Sequence, residues 1–173
     1  MKKKFLAPLI ALALALSLAA CGGSSAPDGS PPEDSVPQKD VDLTQFYSTL
    51  LEENEWPELM ALEGEFLDSL YPGLSDLSLK QCLVNTAAIS AVVGEIALVE
   101  TETEEDAQAA ADVFQARIDY QVGDESNPGG AWYPMSIEGW KNDSHIAANG
   151  SYVMLAVGEH AAEAVDSFNT LFA

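Results

Sequence analysis

Positive charge is what this chain has least of. Seven lysines and arginines face 28 aspartates and glutamates, giving a formal charge of −21 and a pI near 4.1. Proteins bind phosphate backbones largely through lysine and arginine that displace counterions, so this balance excludes nucleic acid as a partner. It excludes direct adhesion to anionic lipid for the same reason. A field this negative draws cationic partners, and it also serves plain solubility.

Thiols and imidazoles are almost as scarce. The cysteines are Cys21 and Cys82, and the histidines are His145 and His160. Transition-metal sites are built from clustered Cys and His, so no metal and no cofactor is expected. Cys82, in "KQCLVNTA", reads as a packed core residue, since free cysteine behaves as a small hydrophobe. Nucleophilic catalysis needs a nucleophile, a base and an orienting group, and no G-x-S-x-G, Walker or S-x-x-K motif is present. The expectation is a protein that is not an enzyme. Calcium fares no better. A loop starting at Asp124 carries Gly129 at its sixth position, but Ser126 and Pro128 stand at its third and fifth positions in place of acids, and Met135 at its twelfth in place of glutamate.

What the chain does have begins at its first residues. Lys2, Lys3 and Lys4 precede an apolar run from Phe5 to Ala20, interrupted only by Pro8 and Ser17. That is the plan of a secretory signal over residues 1–20, and the run is shorter than the ~20 residues a spanning helix needs. Its end, Leu18-Ala19-Ala20-Cys21, resembles the bacterial lipobox. The resemblance implies a diacylglyceryl group on the Cys21 sulfur and cleavage just before it. Two acyl chains give on the order of 20 kcal/mol of anchoring, where one chain would be marginal. The protein is therefore expected at the extracytoplasmic face of a bacterial membrane, tethered through Cys21. Loss of the three lysines moves its formal charge from −21 to −24.

Residues 22–40, "GGSSAPDGSPPEDSVPQKD", are glycine, serine, proline and acid, with Val36 the only large aliphatic. Such a stretch cannot bury enough apolar surface to order itself, so it reads as a linker of about 25 Å. Residues 41–173 then suit a single domain. Asp42 opens a helical stripe of Leu43, Phe46, Tyr47, Leu50 and Leu51, and a second, weaker helix is predicted from Pro57 to about Leu70. Lys80–Ala87 and Glu95–Thr101 read as strands. Thr103 reads as the N-cap of a helix whose stripe is Ala107, Ala111, Phe114, Ile118 and Val122. Asn149-Gly150 predicts a two-residue hairpin turn that sets His145 opposite Met154. A last helix carries Ala161, Ala164, Val165, Phe168, Leu171 and Phe172. The order is helices, then β-β-α-β-β-α. This predicts a two-layer α+β domain: an antiparallel sheet of about four strands with helices on one face.

With "GEIALVE", "FQARIDYQ", an aromatic-proline loop and "NGSYVMLAVGEH" following a lipobox and an acidic linker, residues 41–173 resemble the domain of unknown function 4358 family of small bacterial lipoproteins. The resemblance rests on packing and turn patterns. It implies the fold and the surface location, and it carries no catalytic residue.

The remaining candidate is a long loop, residues 123–143, "GDESNPGGAWYPMSIEGWKND". Long loops in small domains are usually functional or disordered. Trp132, Tyr133 and Trp140 offer large amphipathic faces to a partner protein or envelope component. The competing reading folds the rings back over the core, with Trp140 structural and Trp132, beside Gly129-Gly130, exposed. The expected function is a monomeric, membrane-tethered binding module. The alternative is an accessory lipoprotein that captures a small solute for a transporter, which requires a concave pocket.

Overall fold

The computed structural model describes residues 39–173; the signal segment, Cys21 and nearly all of the linker lie outside the described residues. Helix α1 spans Leu43–Glu53 because Asp42 caps it: its Oδ1 accepts from the backbone N–H of Thr44 at 2.9 Å and of Gln45 at 3.0 Å. Leu43, Phe46 and Leu50 are its buried stripe.

The single helix predicted from Pro57 to Leu70 is instead a short strand, β1 (Leu59–Ala61), and a short helix, α2 (Glu65–Leu70). Gly64 separates them at φ +55°, a backbone a right-handed helix cannot contain, and Leu62 N–H donates to Val84 O at 2.8 Å. A 3-10 turn at Leu74–Asp76 leads to β2 (Leu79–Ala87), followed by β3 (Glu95–Thr101). Helix α3 (Glu104–Val122) starts where Thr103 Oγ1 accepts from Asp106 N–H at 3.0 Å. The predicted loop at 123–143 is half helix: α4 runs from Pro134 to Asn142, with proline at its first position, where a missing N–H costs nothing. Strands β4 (Ser144–Asn149) and β5 (Tyr152–Val157) and helix α5 (Ala161–Thr170) complete the chain.

The α+β class and the antiparallel sheet are as the sequence predicts. The sheet has five strands rather than about four, in the order β1-β2-β3-β5-β4. Helices cover both of its faces, not one. Ala97, Val99, Val153, Leu155 and Val157 pack with Ala107, Ala110 and Phe114 of α3 and Trp140 of α4. Ile96, Leu98, Met154 and Ala156 point the other way, onto Leu43, Phe46 and Leu50 of α1 and Ala161, Ala164 and Phe168 of α5. Every residue of β3 and β5 is consequently buried.

Three local expectations shift by a residue or more. The hairpin pairs Asn149 with Tyr152, so Gly150-Ser151 form the turn and His145 lies opposite Ala156. Gly150 supplies the positive φ, +58°. The buried stripe of α3 is Ala107, Ala110, Phe114 and Arg117, with Ala111, Ile118 and Val122 only partly covered. Cys82 is exposed, not core, because β1 pairs with Asn85–Ala87 alone and leaves the first half of β2 at the sheet edge. Among the described residues no helix is long and apolar enough to cross a membrane.

Candidate functional site

The sheet face under α3 and α4 buries a charged group at the start of its middle strand. Glu95 opens β3 and is wholly buried. Its carboxylate takes four bonds: Arg117 Nε–H and Tyr71 O–H donate to Oε1, and Arg117 Nη2–H and Thr86 O–H donate to Oε2. The two arginine bonds are each 2.9 Å and the threonine bond is 2.7 Å. Two carboxylate oxygens offer about four lone-pair sites, so Glu95 is saturated. The guanidinium sits between rings, with Arg117 Cζ 5.1 Å from the centre of Trp140 and 5.6 Å from that of Tyr71. Burial, then the nearby Glu95 charge, pushes the Tyr71 phenol well above its ordinary range. Burial, the largest single effect on Arg117, lowers its pKa, but the hydrogen bonds and charge of Glu95 together with Tyr71 outweigh it and shift the group upward.

One donor of this cluster has no taker. Arg117 Nη1 is buried and hydrogen-bonds to no described group. Arg117 also lines a pocket of about 230 Å³, together with Thr86, Ser90, Gln121, Gly130 and Trp140. The walls are held by close contacts. Gly130 N–H donates to Tyr120 O at 2.7 Å, and a Cβ at Gly130 would stand 2.4 Å from Gln121 Oε1. Helix α4 docks on the β2–β3 loop through Ser136 Oγ, 3.3 Å from Ala91 O, and through Gly139, where a Cβ would meet Val93 at 2.9 Å.

Beyond Ala131, which is buried in the pocket wall, the chain turns outward. Trp132 is 87% exposed, Tyr133 53% and Met135 80%. The preceding turn is fixed by its own polar groups: Asp124 Oδ1 accepts from Ser126 N–H and Oγ–H and from Asn127 N–H, which lowers the Asp124 pKa. Trp140, the third aromatic of the sequence-derived set, is 5% exposed and belongs to the core and the pocket wall. The three aromatics thus divide, with Trp132 and Tyr133 on the surface and Trp140 beneath. Arg117 is the residue that sequence reading passed over. It is the chain's only arginine, and it stands three residues after Phe114 on a helical face that is otherwise apolar.

The histidines lie elsewhere. His145 is on the edge strand β4, and the ring of His160 meets Trp56 edge-on at 6.4 Å. Around Trp56 and Tyr47 runs a wider, open groove of about 720 Å³ bordered by Glu52, Glu53, Glu55 and Glu58. No protein-family model, no curated protein and no solved structure matches this chain.

Proposed function

We propose that this protein is a non-enzymatic binding module, held at the extracytoplasmic face of a bacterial membrane by lipid on Cys21. The observation that carries the reading is the surface around Trp132. A tryptophan 87% exposed, next to a half-exposed tyrosine and an exposed Met135, leaves apolar area in water that folding alone does not require. The loop bearing it is ordered by glycine contacts and by the Asp124 turn, so the aromatic faces are displayed at little further entropic cost. The acidic groove at Trp56 is a second contact region, suited to a cationic partner. The motif resemblance to the domain of unknown function 4358 family agrees with a small surface lipoprotein.

The solute-capture reading has one observation in its favour, the pocket at Arg117, which supplies the concavity it requires. Both readings share the tether and differ in the ligand. The tether is tested by labelled-lipid incorporation in cells, which Cys21→Ser should abolish, leaving unprocessed precursor. The binding surface is tested by crosslinking on intact cells. Trp132→Ala should lower recovery of crosslinked partner about tenfold at unchanged surface abundance, and unchanged recovery would remove the loop as a contact region.

A further inference from the structure

We propose that the pocket at Arg117 binds the neutral end of a saccharide, a hydroxyl or carbonyl oxygen of which accepts from Arg117 Nη1. This deepens the binding-module reading and rests on it. The starting point is the orphaned donor. Arg117 has a side chain only 4% exposed, and its Nε and Nη2 are committed to Glu95. A buried N–H without an acceptor is costly, and native proteins rarely leave one. Here it belongs to a residue that lines a pocket, and because Nη1 is itself covered, an incoming acceptor has to part the wall to relieve it.

The chemistry of the surroundings narrows the acceptor. An apolar ligand would leave Nη1 as it is. A cation would face the guanidinium. An anion would have to approach a chain with 28 acids against seven bases, and the guanidinium charge it would seek is already matched by Glu95. A neutral oxygen is what remains. The other polar groups of the lining suit a ligand that both donates and accepts, since the Ser90 hydroxyl and the Gln121 amide each do both. Trp140 forms an apolar wall, and the exposed Trp132 and Tyr133 follow in sequence directly after the lining residue Ala131. Hydroxylated rings combine these two needs, polar edges and an apolar face. At about 230 Å³ the pocket is below the ~300 Å³ that drug-sized ligands occupy, so it admits one sugar ring or chain end.

The test uses the mature lipoprotein purified in detergent and three disaccharide probes: neutral N,N′-diacetylchitobiose, its cationic deacetylated form, and a disaccharide ending in a uronic acid. Binding is read by saturation-transfer NMR and by quenching of tryptophan fluorescence. The neutral probe should bind with a Kd of about 1 mM or better, and each charged probe at least about tenfold more weakly. Gln121→Ala and Ser90→Ala, on a half-buried and an exposed wall residue, should each weaken binding about threefold to tenfold with an unchanged urea midpoint. Arg117→Lys, if its midpoint survives, should lose most of the binding, because a lysine paired with Glu95 has no second planar edge to offer. Equal or tighter binding of the uronic acid would overturn the neutral-ligand assignment. Failure of all three probes, with Trp132-dependent crosslinking on cells intact, would overturn the saccharide pocket and leave the binding module standing. Failure of both would remove the module as well.

Discussion

Ile96, Leu98, Met154 and Ala156 meet helices α1 and α5 through a core that is apolar at its centre, with Phe46, Phe168, Phe172 and Tyr152 in ring contacts of 5.1 to 5.9 Å. Polar groups appear there only at the margin, and they serve the chain entry. Tyr152 O–H accepts from Val41 N–H at 3.2 Å, and Gln81 binds Val41 O, Leu43 N–H and Glu100. On the opposite side of the same strands, Ala97 and Val99 are apolar too, but the buried Glu95 at the start of β3 and Arg117 of α3 set an ion pair within that layer. A buried ion pair seldom stabilises a fold more than apolar side chains of the same volume would. The contrast teaches that the α1/α5 face is built from apolar packing alone, whereas the α3/α4 face carries a costly ion pair whose arginine keeps one donor unpaired beside a pocket.

Single substitutions sharpen that contrast, beginning with the largest effect. Glu95→Ala leaves Arg117 charged, buried and unpaired, and should cost about 3–5 kcal/mol in urea unfolding. Leu98→Ala, on the apolar face, removes a fully buried side chain and should cost about 3 kcal/mol through lost transfer energy and a cavity.

Tyr71→Phe should cost about 1.5–3 kcal/mol at neutral pH, the value of a hydrogen bond to a charged acceptor. It should also change the alkaline limb of the stability profile. The folded phenol is held well above 10 by burial and by Glu95, whereas the unfolded one ionises near 10. Above pH 10 the unfolded state therefore binds fewer protons than the folded state, and stability falls as pH rises. Tyr47 and Tyr152 are shifted in the same direction, so Tyr71→Phe should shallow this fall without abolishing it. An unchanged alkaline slope would show that Tyr71 ionises freely. Trp132→Ala should have the smallest effect, within about 0.5 kcal/mol, since the ring is in water.

Much of this arrangement is legible in the sequence, and what is not has physical causes. Glu95–Thr101 and the Thr103 cap follow from local patterns and appear as predicted. The two-sided cover was also written there. "EIALVET" and "YVMLAV" are near-continuous apolar runs rather than alternating ones, which is the mark of strands buried on both faces. β1 escaped because three residues between Pro57 and Gly64 show no period, and its pairing partner is 24 to 28 residues away in sequence. α4 escaped because Gly129-Gly130, Pro134 and Gly139 punctuate it like a loop, although the glycine at 139 is there to let Val93 approach. Of the site, the separation of exposed Trp132 from buried Trp140 was visible from their glycine and hairpin neighbours. Arg117 was not, since a helical stripe is read from apolar residues and a charged member is skipped unless its partner is known. Here that partner, Glu95, lies 22 residues back on a different element.

The most direct test of the contrast between the two faces is the urea stability of the triple variant Tyr71→Phe/Glu95→Leu/Arg117→Met. It removes the ion pair together with the phenol that would otherwise lose its acceptor, and Thr86, only half-buried, can turn to water. If the ion pair is a cost to the fold and not a source of stability, the triple variant should be as stable as the parent or more so, by up to about 4 kcal/mol. A loss of about 3 kcal/mol or more, comparable to that from Glu95→Ala alone, would contradict this and make the buried pair a structural element of the fold.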